Sequence, residues 1–499
     1  CLNSISHLIV CVFYSKFIFQ LKVKYIMLRL FTLIFSLCIV TSLKGQQLNM
    51  TDEIESQKST YGKIALKIWE WAEVGYQEEK SSTLLKKTLS DAGFSIQTGV
   101  AEIPTAFIAE YGSGQPVIAI LAEYDALPGV SQKAVPTRDP VITGGAGHAC
   151  GHHLFGTASV AAGIAVKNWL ITNKIKGTLR VYGTPAEEGG AGKVYLVRAG
   201  LFDDVDAVLH WHPSSNNNAN PGSSLANKSA KFRFYGESSH AAASPERGRS
   251  ALDGVESMNQ MVNMLREHVP QETRIHYVIT SGGEAPNVVP AFAEVFYYVR
   301  NPEVANVKTI FERVVKAAQG AAIGTETTMN YEIIHGLYNL LPNETLSEIM
   351  YKNLVSVGGM RYNDAEIKFA RQILDTYDGD FQIKSAEEII PYSLEKRTGA
   401  GSTDVGDVSW KVPTAGMSAA TWVPGTSAHT WQAVAAGGTS IGIKGMLIAA
   451  KTIALTAQDV FTDPDLIIRA NKELEERIGK NDPYKALIGD RDPPLDYRN

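Results

Sequence analysis

The sequence predicts an α/β protein: a mostly parallel sheet covered by helices on both faces, with a smaller α+β unit of βαββαβ order inserted into it. Three observations predict it. Short apolar runs alternate with helical stretches between Val117 and Leu209, as in a parallel sheet with crossover helices. Each of those runs ends in ionisable residues. After the polar break at Ser214 to Asn220 and Pro221-Gly222, the texture changes to alternating strands and amphipathic helices with no long apolar strand.

Taken in order, Asp52 to Gly75 reads as a helical opening. Val117 to Ala122 is continuously apolar, as a strand buried on both faces should be, and it stops at Glu123-Tyr124-Asp125. His152 to Leu170 reads as an Ala- and Gly-rich helix, Thr178 to Tyr182 as the next strand, Gly192 to Ala199 as a helix and Ala207 to Leu209 as a third strand. These strands run out into Glu123/Asp125, Glu187/Glu188 and His210/His212. The ligand crevice of an open α/β sheet lies beyond the carboxyl ends of its strands, so one crevice would collect all three sets.

In the inserted unit, Ser229 to Tyr235, Ile275 to Thr280, Ala293 to Arg300 and Thr327 to Ile334 read as strands. Ala251 to His268 and Val304 to Ala322 read as helices. The pattern suits an antiparallel sheet with helices on one face, a ferredoxin-like arrangement. The parent unit resumes after Gly336, with a strand at Ala415 to Trp422 and a helix from Gly438. The expected division is therefore 47–225 and 336–499 for the main domain and 226–335 for the insert.

The chain has 499 residues, 47 basic against 52 acidic side chains and a net charge of −5. No basic stripe interleaved with aromatics is present, which argues against nucleic acid as a partner. The stretch 1–26 reads as translated upstream sequence, with Met27 as the start. Residues 27–46 then read as a signal peptide: Arg29, an apolar run from Leu30 to Val40, and a small-residue exit from Thr41 to Gly45. Export to the periplasm is expected, with no stable membrane span after processing; an uncleaved anchor is the alternative, and a cytoplasmic protein if this is no signal. Cys38 follows Leu37, unlike a lipid-attachment site. Of the Cys residues, only Cys150 lies beyond the segment, so the exported chain would have one thiol and no internal disulfide.

That thiol sits in His148-Ala149-Cys150-Gly151-His152-His153. A thiolate and an imidazole two positions apart at a helix start suit a borderline divalent metal, although an isolated Cys-x-His is a weak signal. In Glu187-Glu188, adjacent carboxylates before Gly189-Gly190 can face different partners, one a cation and the other a proton on water. His210 and His212 point to the same side of an extended segment, and either could bind metal. His429, in Gly425 to Thr430, is one more imidazole and says nothing alone.

Together these pieces resemble the M20 metallopeptidase and amidohydrolase family, in the branch that contains aminobenzoyl-glutamate hydrolase, N-acyl-amino-acid amidohydrolases and auxin-conjugate hydrolases. The resemblance runs from about Gln47 to the end. It is carried by Glu123 to Pro128, Gly147 to His152, Pro185 to Gly192, Ser239 to Pro245, Pro286 to Pro290 and Gly401 to Asp404, in that order. It implies a two-metal site, zinc or manganese, with Cys150, His152, Glu188, His212 and His429 as ligands and Glu187 as base. Asp125 would orient a ligand; Glu123 stands where more distant relatives place a ligand histidine.

The resemblance further implies that His240 polarises the substrate carbonyl from a neighbouring subunit, in a homodimer or a dimer with a paralogous subunit formed through 226–335. Asn287 and Arg300 resemble a substrate-facing pair, an Arg fork suiting a carboxylate. The implied substrate is a small N-acyl amino acid or dipeptide. His153 and His210 depart from the family pattern. Two other accounts stand beside this one: a cysteine hydrolase using Cys150 as nucleophile, and a non-catalytic binder of metal or peptide that has kept the scaffold.

Overall fold

The computed structural model describes Met27 and residues 49–399, 401–479 and 483–498. The expected upstream stretch and all of the expected signal segment except Met27 lie outside these. The described strands are β1 (Ser95–Thr98), β2 (Phe107–Ser113), β3 (Val117–Ala122), β4 (Gly177–Gly183), β5 (Ala207–Ser214), β6 (Ala226–Tyr235), β7 (Arg274–Ser281), β8 (Phe292–Asn301), β9 (Thr328–Leu337) and β10 (Thr414–Ala420).

The larger sheet has six strands in the order β1-β2-β4-β3-β5-β10. The central pairings of β3 with β4 and β5, and of β5 with β10, are parallel. The helix His152–Asn173 crosses from β3 to β4, and Gly192–Arg198 from β4 to β5. β3 is buried at every position, which its unbroken apolar run requires. His152–Asn173 is apolar on nearly all sides because it is enclosed, packed on the sheet and against the helices Lys58–Trp71 and Ser440–Thr462. Both it and Ser440–Thr462 are long and apolar enough to cross a membrane, yet both are largely buried inside this core.

The sheet is mostly parallel as expected, and two features add to the sequence expectation. The sheet carries an antiparallel edge, β1 on β2 and β2 on β4. The helical opening is two helices, Met50–Ser56 and Lys58–Trp71, and Ala72 in the left-handed region (φ 45°) ends the second. Val74 beyond it bridges Ala126, just past β3.

Contiguous residues from β6 to β9 build the second sheet, antiparallel throughout, in the order β7-β8-β6-β9. Helices Ala251–Leu265 and Val304–Gly324 cover one face, closing a core around Phe232, Phe234, Tyr297 and Phe311. β7 lies at the edge, with most of its residues exposed.

Candidate metal centre at the strand ends

The segment after β3 delivers Glu123 and Asp125. The turn after β4 delivers Glu187 and Glu188. β5 runs on to Ser214, so His210 and His212 lie within the strand rather than beyond its end. The loop before the helix His152–Asn173 supplies Cys150. Gly151 is left-handed (φ 76°), and a Cβ there would sit 2.6 Å from the Pro213 Cβ, so only glycine lets this helix start close on the residue after His212. The His429 N–H donates to the Ala149 carbonyl at 2.9 Å, which ties the late loop to the same place.

The donor atoms of Cys150, His152 and His212 lie within 4.8 Å of one another, as do those of Cys150, Glu188 and His429, and those of Glu123, His152 and Glu187. The first two sets share the Cys150 sulfur. Bonds behind the cluster fix how the rings face. His152 Nδ1 donates to Asp125 Oδ1 at 2.8 Å, and His212 Nδ1 donates to the Pro213 carbonyl at 2.7 Å. Each bond leaves the Nε2 lone pair pointing into the cluster, the arrangement that metal-bound imidazoles use. The other Asp125 oxygen accepts the Glu188 N–H at 2.8 Å.

Inside the cluster, His152 Nε2 stands 3.1 Å from Glu123 Oε2, and His429 Nε2 stands 3.3 Å from Glu188 Oε1. Yet His152 Nε2, Glu123 Oε2 and Glu188 Oε1 are buried with no hydrogen-bonding partner. Buried polar atoms left bare are costly and uncommon. Sulfur, imidazole nitrogen and carboxylate oxygen converging on one another, with several of these atoms buried and unbonded, form a donor set that fits divalent cations.

The electrostatics follow from enclosure. Burial, with the Glu123 and Glu188 charges added, pushes the Glu187 carboxyl well above the usual range. Burial works in the same direction on Glu188, but His429 and His152 outweigh it and hold that carboxyl low; the Glu188 contact raises His429 in turn. Burial lowers His152, but Asp125, Cys150 and Glu123 together carry it upward. Burial above all brings His212 down to about 4 and His210 to about 3, so both rings are neutral. The same burial, with the Glu188 charge, raises the Cys150 thiol.

His212, and not His210, faces Cys150, its Nε2 3.4 Å from the sulfur. His210 lies against Gly416 on β10. His153 turns away, its Nε2 donating to the Gly437 carbonyl at 3.1 Å, and takes no part in the cluster. Arg300 lines a cleft of about 240 Å³ together with Glu187, Glu188 and His429. His240 and Asn287 lie elsewhere, both exposed in the second unit, where His240 bridges Val288 and the Ala241 N–H donates to the Asn287 carbonyl.

Several supports had no separate signal in the sequence. Lys193, fully buried, joins Glu123 and Asp404, 2.7 Å from each. Its place in a largely apolar helix after the Gly189-Gly190 turn, and the Gly401 to Asp404 motif, were the available hints. Ala186 and Ala191 are both left-handed (φ 58°) around the Glu187-Glu188 turn, at a cost of roughly 1 kcal/mol each. Glu78 accepts the Ala186 N–H at 2.9 Å, Tyr76 donates to the Gly190 carbonyl at 2.7 Å and Tyr497 to the Glu188 carbonyl at 3.0 Å.

Comparison with known proteins gives this geometry a family. The profile of Peptidase family M20/M25/M40 matches residues 119–433. The chain is 44% identical over 463 residues to one of the subunits of p-aminobenzoyl-glutamate hydrolase from Escherichia coli (strain K12), covering 88% of this chain and 96% of that protein. It is 30% identical over 443 residues to the Xaa-Arg dipeptidase of Mus musculus, covering 86% and 91%. A dinuclear metal-binding peptidase of the M20 family from Bacillus subtilis shares the fold, with a TM-score of 0.53 at 19% identity over 80% of this chain and 98% of that one. The chain belongs to peptidase family M20/M25/M40 and is a hydrolase of amide bonds.

Proposed function

We propose that the chain is a two-metal amidohydrolase that cleaves the amide bond of an N-acyl amino acid of the aminobenzoyl-glutamate kind, or of a related dipeptide. The observation that carries this reading is the pair of donor sets sharing the Cys150 sulfur, with buried lone pairs that nothing in the chain satisfies. Cys150, His152 and His212 would hold one cation and Cys150, Glu188 and His429 the other, either zinc or manganese. Such a pair supplies Lewis acidity toward water and toward the substrate carbonyl.

The chain's own residues do the rest. Glu187 takes the proton from the attacking water and returns it to the leaving amine nitrogen; its raised affinity for protons suits a group that must carry one. Asp125 keeps His152 in one tautomer. Arg300, on the wall of the cleft, receives a substrate carboxylate.

His240 acts on the site of a neighbouring protomer. Its Nδ1 accepts from the N–H groups of Ala242 and Ala243 at 3.2 and 3.1 Å, so the ring proton sits on Nε2, ready to donate to a carbonyl oxygen. Asn287 beside it completes the contribution. The unpaired edge of β7, with Tyr277, Val278 and Ile279 exposed, supports association through this unit. The partner is a second copy or a paralogous subunit; the Escherichia coli relative is by name one subunit of an enzyme. Residues 27–46 would export the enzyme, a reading that rests on sequence alone.

The test is hydrolysis of an N-acyl-glutamate by purified protein. Activity is expected to vanish with chelator and to return with zinc or manganese; activity that persists in fully demetallated protein contradicts the reading. One observation favours a second account. The 3.4 Å contact of Cys150 with His212 is a nucleophile–base pair in form, although burial raises that thiol when a nucleophile needs it lowered. Thiol alkylation that inactivates chelated yet active protein would establish it.

A further inference from the structure

The cleft beside the proposed centre is lined by one arginine, Arg300, and a second, Arg498, lies against its wall at Glu188 and Gly189; among the described residues neither has an acidic partner. Several other half-buried arginines are answered by carboxylates: Arg180 by Glu110 and Asp204, Arg233 by Glu294 and Glu332, Arg477 by Glu344 and Glu473. Among the described residues, neither Arg300 nor Arg498 has a carboxylate within ion-pairing distance, and the Nε of each is buried with no hydrogen-bonding partner. An enclosed guanidinium left with a bare N–H is a site for an anion that arrives from outside.

Arg300 lines the cleft directly, its guanidinium 5.3 Å from the centre of the Tyr298 ring. Arg498 comes from the segment 483–498 and reaches the same wall. Its Nη2 donates to the Glu188 carbonyl, and a Cβ built on Gly189 would lie 3.5 Å from that Nη2 and 3.8 Å from His335 Cε1. Gly189 and His335 are both part of the cleft wall. Burial, with the charges of Arg491, Arg300 and Arg498 added, brings His335 down to about 4, so the ring on that wall stays neutral.

The segment that carries Arg498 is fastened independently of it. Arg491 donates to the carbonyls of Ile333 and Ile334, Arg198 to those of Gly489 and Arg491, and Tyr497 to that of Glu188. Arg498 is therefore held in place without using up its charge.

We propose that Arg498 is a specificity-determining residue: Arg300 and Arg498 together receive the two carboxylates of a substrate whose amino-acid half is dicarboxylic. This rests on the amidohydrolase reading and adds to it the group that reads the second carboxylate. A substrate ending in arginine would meet like charge here.

Binding of inert probes tests it without turnover. N-benzyl-L-glutamate and N-benzyl-L-glutamine replace the scissile amide by an amine and differ only in the second carboxylate. Calorimetry on the full chain with metal is expected to show the glutamate probe binding about tenfold tighter. Arg498→Gln should bring the two probes within about twofold, while Tyr497→Phe, which loosens the segment and keeps the charge, should preserve the tenfold ratio. The proposal is overturned if the unaltered chain shows no preference, if Arg498→Gln keeps it, or if Tyr497→Phe abolishes it equally. Failure to hydrolyse any N-acyl amino acid would overturn the proposed function and leave this binding result standing; loss of the preference in an active enzyme would do the reverse.

Discussion

The two groups of residues expected to act on substrate sit in opposite surroundings. Around Cys150 the functional side chains other than the exposed His429 are buried or half-buried, and neighbours set their orientation: Asp125 for His152, the Pro213 carbonyl for His212, Lys193 for Glu123. The side chains of His240 and Asn287 are exposed and belong to none of the three donor sets. One region has its side chains fixed from within the chain. In the other, the exposed His240 ring is fixed only at Nδ1, as the proposed contribution to a neighbouring site requires.

The sharpest way to break this contrast is within the enclosed region. Glu187→Gln keeps the shape of the turn and removes the proton carrier, so kcat should fall about 10³-fold while metal content stays at the parental level. Turnover at the parental rate would show that the proton moves elsewhere.

His240→Ala should lower kcat by about 10²-fold without touching metal content, despite the exposure of the residue. Mixing the two inactive variants sharpens the point. A dimer of one Glu187→Gln chain and one His240→Ala chain has one site with both groups intact if His240 crosses between subunits, so activity should reappear on mixing. No recovery in mixed dimers would show that His240 does not cross to the neighbouring subunit's site.

Much of the enclosed region was legible because its ligands fall in short motifs at the ends of strongly apolar strands, and the strand order brings such ends together. Other parts were hidden for physical reasons. Lys193 reads as a surface residue, since lysine is almost never buried without partners, and its partners Glu123 and Asp404 are far away in the chain. Arg498 lies in a segment without periodicity. The antiparallel pair β1 and β2 was missed because Ser95–Thr98 is short and mostly exposed, offering no alternation to read. The choice between His210 and His212 could not come from spacing, because both lie on one side of β5; the approach of Gly151 to Pro213 brings His212 to Cys150.

The smallest expected effect concerns acid stability of the enclosed region. His148, behind the cluster, donates from Nε2 to the Ile68 carbonyl, and burial lowers its pKa from 6.5 to about 3. The unfolded chain takes up a proton there that the folded chain refuses. Stability from this group is thus present above pH 6.5 and is lost as pH falls toward 3. His148→Gln should flatten the decline in denaturant midpoint between about pH 6.5 and about pH 4.5; an unchanged slope would mean that this ring is not sequestered.

The central claim is that two cations share the Cys150 sulfur, and counting metal tests it most directly. Elemental analysis of the purified, reloaded chain should give two divalent ions per chain, His429→Ala one, and Cys150→Ala none retained through dialysis. Two ions kept by Cys150→Ala, or a single ion in the unaltered chain, would contradict it.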